Sequence, residues 1–407
     1  MKFLHTSDWH IGKKLYNKTR YHEFEKFFNW LQKVIKEENI DILIVSGDVF
    51  DTISPSNRAQ EIYFNFLKNI ISDSNNISNI LITGGNHDSP SFLEASASIL
   101  KSFNIFVTGS VSKNIENHIF VLNDKKNNPL CVFCAVPYLR DKDIRKTEDL
   151  ENIDDKFIKN INGIKDFYEK TGDIAFNIKK QNNLKIPVIA TGHLFTAGAK
   201  TFENDGVREL YVGNVSRVGS DVFPDIFDYV ALGHLHSAQT VDNKNNIRFS
   251  GAPLFMSFSD SSVKKVIVGE FEDNLIINEI EVPCFQKSAL ITGNTEKIKS
   301  ELLQLIEKNE SVWVEISYNG NNLDSDYGQT FYELVKNSCV EILKFSNLNI
   351  IKRVFEKSEF DKSLEELDDI EVFEKCLDVN KIYDDKRIHL VKLYKNIRNK
   401  YLDRDKE

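Results

Sequence analysis

The chain has 407 residues, 41% of them apolar and 28% charged, with a formal net charge of −9. That length allows two or three domains with a sizeable core. No apolar run reaches membrane-spanning length, and the acidic balance excludes a surface coated for nucleic acid while leaving room for a local basic patch.

Phe3-Leu4 opens as a short buried strand that leads to Asp8 and His10. Lys13, Lys14, Lys18 and Arg20, with Tyr16 among them, follow His10 in a strand-end loop; phosphate contact at Lys13 and Lys14 and a merely solvated basic loop are both open readings. Tyr21 to Glu38 predicts an amphipathic helix with Phe24, Phe27, Phe28, Leu31, Val34 and Ile35 as its core stripe. The apolar run Ile42–Val45 ends in Gly47-Asp48-Val49-Phe50-Asp51, and Ile80–Ile82 runs into Gly84-Gly85-Asn86-His87-Asp88. Helices are predicted over Ser56 to Ser72 and Ser91 to Ser102.

Cys131 and Cys134 form C-x-x-C, but inside the apolar segment Leu130–Val136, so a buried strand is the better reading, and no second pair exists to complete a zinc site. With Cys284, Cys339 and Cys376 the cysteines number five, odd and mostly isolated, which suits a reducing compartment. The first candidate ligand at position 8 leaves no room for a cleaved leader, so a cytoplasmic location is expected. Lys142 to Asn182 is a charged excursion with a long helix carrying Phe157, Ile161, Ile164 and Tyr168 on one stripe.

Val188–Ala190 precedes Gly192-His193, and Tyr229–Leu232 precedes Gly233-His234-Leu235-His236. Between them Phe195 to Arg217, with Lys200, Arg208 and Arg217, reads as a surface loop. Asn245-Asn246 predicts a hairpin, and strands over 263–271 and 275–282 close the domain. From Pro283 the rhythm predicts a small split βαβ unit with strands at 289–291, 311–317 and 340–351 and helices at 295–307 and 328–337. Beyond Arg353 two helices are expected, 364–377 and 385–402. The second presents Leu390, Tyr394, Ile397 and Tyr401 on a stripe that needs cover.

Five of these strands end in a carboxylate, imidazole or amide, and polar groups at the carboxyl ends of strands in an open α/β sheet converge on one crevice. Residues i and i+2 on an extended exit point the same way, so Asp8 with His10, and His234 with His236, can reach one cluster. Any one of these residues alone reads as a strand cap; five motifs in one chain read as a metal centre for phosphoester hydrolysis. Two divalent ions need a bridging carboxylate, for which Asp48 is the natural choice, and they activate water for in-line attack without a covalent enzyme intermediate. The set has no thiolate, which favours manganese or iron over structural zinc, with magnesium less suited to so many imidazoles. A Ser-His-Asp reading lacks its G-x-S-x-G elbow.

The ordered set D-x-H, G-D, G-N-H-D, G-H and G-H-x-H resembles the calcineurin-like metallophosphoesterase superfamily. Within it, Gly47–Thr52 followed by Ser54-Pro55-Ser56, together with Ala135–Arg140 and Tyr229–His236, is similar to the SbcD family of bacterial nuclease subunits, over about the first 270 residues and more loosely beyond. The resemblance implies a four-layer α/β/β/α sandwich at 1–282, a small α+β capping domain that guides DNA at 283–352, and a linker with C-terminal helices at 353–407 that dock on an SbcC-type coiled-coil ATPase. It implies one ion on Asp8, His10, Asp48 and His236, a second on Asp48, Asn86, His193 and His234, and His87 as the catalytic histidine. Orientation of Asp48 is the plainer role for His87, and proton donation to a departing oxygen favours catalysis. Asp51 stands where archaeal relatives carry histidine and is not read as a ligand.

The resemblance also places a homodimer interface, within a heterotetramer, on the helices at 56–72 and 91–102; burial in this chain's own core is an equally open reading. The expected function is a manganese-dependent DNA nuclease subunit of repair, recombination and replication, exonucleolytic on duplex ends, endonucleolytic on hairpins and single strands, and nucleoid-associated while acting. With no G-x-x-x-x-G-K-[ST], ATP hydrolysis falls to the partner. A phosphoprotein or small-phosphoester hydrolase is disfavoured because Phe50-Asp51-Thr52 and Gly85 stand where such phosphatases carry arginines, and a silent scaffold because every ligand position is filled.

Overall fold

The computed structural model describes residues 1–72, 77–144, 153–195, 219–260, 262–320 and 327–348, with 370, 373–374, 377–378, 382 and 386–395. The chain forms two compact units, Met1–Gln286 and Lys287–Glu407.

The first unit carries strands β1 (Lys2–Thr6), β2 (Ile42–Ser46), β3 (Asn79–Thr83), β4 (Ile105–Thr108), β5 (Ile119–Asn123), β6 (Pro129–Cys134), β7 (Val188–His193), β8 (Tyr229–Gly233), β9 (Gln239–Val241), β10 (Lys244–Phe249), β11 (Lys265–Phe271) and β12 (Leu275–Glu281). Its helices are α1 (Tyr21–Glu37), α2 (Asn57–Ser72), α3 (Pro90–Glu94), α4 (Ala97–Lys101), α5 (Asp141–Ile144) and α6 (Ile153–Gln181). The strands form two six-stranded sheets, ordered β12-β11-β1-β2-β3-β4 and β5-β6-β7-β8-β10-β9. β1 to β4 run parallel, as do β6, β7, β8 and β10.

Alternation along each strand builds the layers. Leu4, Leu43, Val45, Ile80 and Ile82 meet Phe24, Phe27 and Phe28 of α1 and Ile62 and Phe66 of α2. Their neighbours Phe3, Ile42, Ile44 and Leu81 meet Phe133, Ile189, Tyr229 and Ala231 between the sheets. The outer face of the second sheet, Val132, Cys134, Val188, Ala190, Val230 and Leu232, is covered by Ile164, Phe167, Tyr168 and Ala175 of α6. The result is the expected α/β/β/α sandwich. Cys131 and Cys134 lie in different cores, one between the sheets and one under α6, both as free thiols. Burial raises both thiols well above their ordinary range, so the C-x-x-C is strand, as expected.

Two local expectations are corrected. The predicted helix over 91–102 is α3 and α4, because Ser96 leaves helical geometry (φ −102°, ψ 1°) to start the second, as serine prefers at a cap. The hairpin between β9 and β10 turns at Asp242-Asn243, with φ 47° and 60°, rather than at Asn245-Asn246. Both side chains tolerate the left-handed region that a two-residue turn demands.

The second unit contains β13 (Lys287–Gly293), α7 (Thr295–Glu307), β14 (Val312–Tyr318), α8 (Tyr327–Val335) and β15 (Val340–Asn347). Its sheet runs β13-β14-β15, all parallel. Consecutive strands are neighbours, so this βαβ arrangement has nothing inserted and is not split as the sequence suggested. Ile298, Leu302 and Phe331 pack on Ile291, Val314 and Ile316, and Asn294 caps α7 by accepting from the Lys297 amide. Most of the two helices expected beyond Arg353, including Ile397 and Tyr401, lies outside the described residues. Among the described residues no helix is long and apolar enough to cross a membrane.

Candidate metal centre

The seven expected ligands leave the carboxyl ends of five strands: Asp8 and His10 after β1, Asp48 after β2, Asn86 after β3, His193 ending β7, and His234 with His236 after β8. The exits of β1 and β2 run side by side, the Asp8 and His10 amides donating to the Gly47 and Asp48 carbonyls at 3.0 and 2.9 Å. Asp8, His10, Asp48 and His234 all have positive φ (51°, 47°, 50° and 105°). Such backbone is uncommon outside glycine and persists where the surrounding structure overdetermines it.

The side chains converge. Nε2 of His10 lies 3.2 Å from Nε2 of His236 and 3.6 Å from Oδ2 of Asp48. On the other side of Asp48, Oδ2 lies 3.3 Å from Nε2 of His193, and the Asn86 Oδ1 lies 3.0 Å from that nitrogen and 3.1 Å from Nδ1 of His234. Donor atoms of Asp8, His10 and His236 fall within 4.8 Å of one another, as do those of His10, Asp48 and His87 and those of Asp8, Asp48 and His193. Asp48 therefore stands between two donor groups, and Asp8 reaches both.

The donor chemistry fits cations. The His193 Nδ1 sits 3.0 Å from the Ser46 carbonyl, so it carries the hydrogen and leaves Nε2, in the neutral ring, as a lone pair facing two oxygens. Lone pairs facing one another need a positive charge between them. Burial opposes charge on His193, but Asp48 and Asp8 outweigh burial and raise its pKa to about 9. Burial likewise opposes ionisation of Asp48, yet the imidazoles of His193, His10 and His87 hold its carboxyl far below the usual range. Asp8, where burial dominates and Asp48 adds repulsion, rises to about 7. Burial keeps His10 well below its ordinary value and His234 at about 3, so both offer neutral nitrogen lone pairs.

His87 stands beside this group. Its amide donates to Asp48 Oδ1 at 2.9 Å, and its ring Nδ1 lies 3.0 Å from the Asp51 carbonyl, which makes Nδ1 the donor and leaves Nε2 to accept or carry a proton. Its ring stands perpendicular to His10 at 4.9 Å.

Sequence reasoning missed the supports. The Asp88 carboxylate accepts from the amides of Val49, Phe50 and Gly85 at 3.1, 2.9 and 2.9 Å, clamping the Asp48 loop to the Asn86 loop. Its place in G-N-H-D was the available signal. Asp51, which the sequence does not read as a ligand, lies 3.5 Å from Nδ1 of His10 and 3.2 Å from Lys13 Nζ. Gly85 and Gly233 are close approaches: a Cβ at Gly85 would collide with Asp48, and one at Gly233 with the Ser46 carbonyl.

Of the basic loop, Lys13 reaches the centre's edge through Asp51, and Lys14 is half-buried. Arg20 is corrected: it is buried, paired with Glu23 at 2.8 Å and bonded to the Phe255 carbonyl at 2.6 Å, so it faces the fold. Of the Phe195–Arg217 stretch, 196–217, with Lys200, Arg208 and Arg217, lie outside the described residues.

Comparison with known proteins agrees with this geometry. The family described as calcineurin-like phosphoesterase matches residues 1–238, and the one described as type 5 capsule protein repressor C-terminal domain matches 284–381. The chain is 29% identical over 399 residues to the SbcD subunit of the nuclease SbcCD from Escherichia coli strain K12, covering 97% of both. It is 32% identical to the Rhodobacter capsulatus protein of that name over 64% of each chain. Against the Bacillus subtilis one it is 30% identical over 66% of this chain and 65% of the other. With more than half its length matched, and with the family's motifs gathered at one centre, the chain belongs to the calcineurin-like phosphoesterase family.

Proposed function

We propose that this chain is the nuclease subunit of a two-component DNA-processing enzyme, a phosphodiesterase dependent on two divalent ions that works with an SbcC-type coiled-coil ATPase. The observation that carries this reading is the pair of donor groups sharing Asp48, with His87 beside them. Its setting is a chain similar to nuclease subunits along 97% of its length. Asp8, His10, Asp48 and His236 would hold one ion, and Asp48, Asn86, His193 and His234 the other. The mix of imidazole, carboxylate and amide oxygen suits manganese, with iron or magnesium as alternatives.

When bound, such ions neutralise phosphate charge and make water a nucleophile at neutral pH. The chain's residues do the rest. The Ser46 carbonyl fixes the His193 ring so that Nε2 faces the centre, and Asp51 faces the rear nitrogen of His10, as partners of metal-binding histidines commonly do. His87, held through Nδ1, presents Nε2 to hold a proton for the leaving 3′ or 5′ oxygen. Lys13 and Lys14 border the crevice as contacts for the DNA backbone.

The second unit as a guide for DNA, the C-terminal helices as the ATPase dock, a homodimer through α2 and the 90–101 segment, and action at the nucleoid in the cytoplasm belong to the same proposal. Full-length similarity to nuclease subunits supports them.

The test is cleavage of a linear duplex and of a single strand in Mn2+, with and without an SbcC-type ATPase. His87→Ala is expected to lower the rate by about 10²–10⁴-fold while leaving Mn2+ binding in place. No metal-dependent cleavage under any of these conditions, or a His87→Ala rate equal to the parent's, overturns the reading.

A further inference from the structure

The loop that leaves the metal centre ends in a feature that neither the fold nor the ligand set explains. Leu15 and Lys18 exchange backbone hydrogen bonds, both 3.0 Å, closing a two-residue turn whose first central residue is Tyr16. Its φ is +52°. That is glycine's place in such a turn, and for a bulky aromatic residue it is a genuine outlier. Glycine would make the same turn without strain, so what the tyrosine adds is its side chain. Tyr16 is 40% exposed. Its ring is backed by that of Phe258, stacked on it at 5.8 Å and 14°, and Phe258 is a buried residue, 7% exposed.

Both partners are tied to metal-ligand backbone. On the Tyr16 side the Lys13 amide donates to the His10 carbonyl at 2.9 Å. On the Phe258 side, two residues flanking its loop, Ala252 through its amide and Lys264 through Nζ, donate to the His236 carbonyl at 3.0 and 3.3 Å. Arg20 joins the two loops through the Phe255 carbonyl. An aromatic residue six positions after His10 is thus tied through its loop and its stacking partner to the backbone of two of the gathered histidines, on a loop that also carries Lys13, Lys14 and Lys18. Stacking faces interleaved with basic residues are how single strands are gripped without reading sequence.

We propose that Tyr16, backed by Phe258, is a stacking platform for an unpaired base of the substrate strand, setting a single-stranded or frayed end over the metal centre. This rests on the nuclease reading above, in that the ligand is the nuclease's own strand. The platform binds any base, since every base offers a π-face, and it favours strands with unpaired bases over continuous duplex.

The test uses the full chain with His87→Ala, so that strands stay intact, and fluorescence anisotropy of two short labelled oligonucleotides in Mn2+, one with all its bases and one abasic throughout. The base-bearing strand is expected to bind about tenfold more tightly than the abasic one. Adding Tyr16→Ala or Tyr16→Gly is expected to erase that ratio, and Tyr16→Phe or Tyr16→Trp to keep it. Thermal melting of Tyr16→Gly at or above the parent's value shows that the turn survives. An unchanged ratio in both Tyr16→Ala and Tyr16→Gly, or equal binding of the two strands before any change at Tyr16, overturns the platform. Failure of the nuclease reading is separate: it shows as no cleavage of any DNA by the chain with His87 intact.

Discussion

At the scale of single residues, Asp48 is the one on which the proposed two-ion reading turns, because one carboxylate lies between both donor groups. Its Oδ2 lies 3.3 Å from His193 and 3.6 Å from His10 while Oδ1 accepts the His87 amide. Asp48→Asn keeps the shape and one acceptor but removes the charge, so it is expected to lose the ions and nearly all activity. Mn2+ at about a hundred times its dissociation constant stabilises the parent by about 2.7 kcal/mol, an expected rise of about 5 °C in melting temperature. Asp48→Asn should rise by less than about 1 °C, and a parent-sized shift in the variant would show that the bridge lies elsewhere. His87→Ala should melt with the parent's Mn2+ shift, which separates a proton-handling residue from a ligand. All seven residues that converge at the centre were legible in the sequence because each follows an apolar strand. The backbone that aims four of them was not, since positive φ at Asp8, His10, Asp48 and His234 is imposed by tertiary contacts on residues with no intrinsic need for it. The same holds for Arg20, whose burial against Glu23 and Phe255 depends on partners as remote as 235 positions.

Among the elements, the meeting of β2 with β7 and β8 brings the two halves of the centre together. Ser46 at the end of β2 accepts from His193 at the end of β7, and Gly233 at the end of β8 lies so close to the Ser46 carbonyl that a Cβ would fall inside it. Gly233→Ala must push the two sheets apart at their ligand-bearing edge. The expected cost is about 1–3 kcal/mol of stability, as for other overpacked sites, with weaker Mn2+ binding because Asp48 and His193 sit on opposite sides of the gap. Chemical denaturation and a Mn2+ titration check the two effects; a variant with parental metal affinity would show that the crevice does not depend on this contact. The elements themselves were readable where period and length agreed. α1, α2 and α7 match their predicted spans to within a residue at each end, and the buried strands read as short β-branched runs. Prediction slipped where local chemistry offered equivalent choices: Asp242-Asn243 and Asn245-Asn246 are both acceptable turn pairs, and only the pairing of β9 with β10 selects the first. Ser96 likewise breaks a stripe that apolar period alone runs through.

For the whole molecule, the sandwich is sealed by an inter-sheet core that holds one neutral histidine. His5 is fully buried, with Nδ1 3.0 Å from the Tyr229 hydroxyl and Phe3 and Tyr229 packed ring on ring at 4.6 Å alongside. Burial lowers its pKa to about 3; the Leu232 backbone nearby opposes this in part, and the Arg248 charge adds a smaller push downward. Because the folded value lies below the unfolded 6.5, the unfolded chain takes up a proton first as pH falls. Stability from the neutral ring is therefore complete above pH 6.5 and drains between there and about 3, at up to about 1.4 kcal/mol per pH unit. From pH 7 to pH 5 this single group accounts for a loss of about 2 kcal/mol. Other buried imidazoles also titrate, so the informative quantity is a difference. His5→Phe, which keeps an aromatic ring between the sheets, should be less stable at pH 7 for want of a partner to Tyr229, yet lose about 2 kcal/mol less than the parent between pH 7 and pH 5 in urea unfolding with Mn2+ held saturating. Equal losses in the two proteins would mean that His5 is protonated, or exposed, in the folded state, and that the seal between the sheets opens in acid before the molecule unfolds.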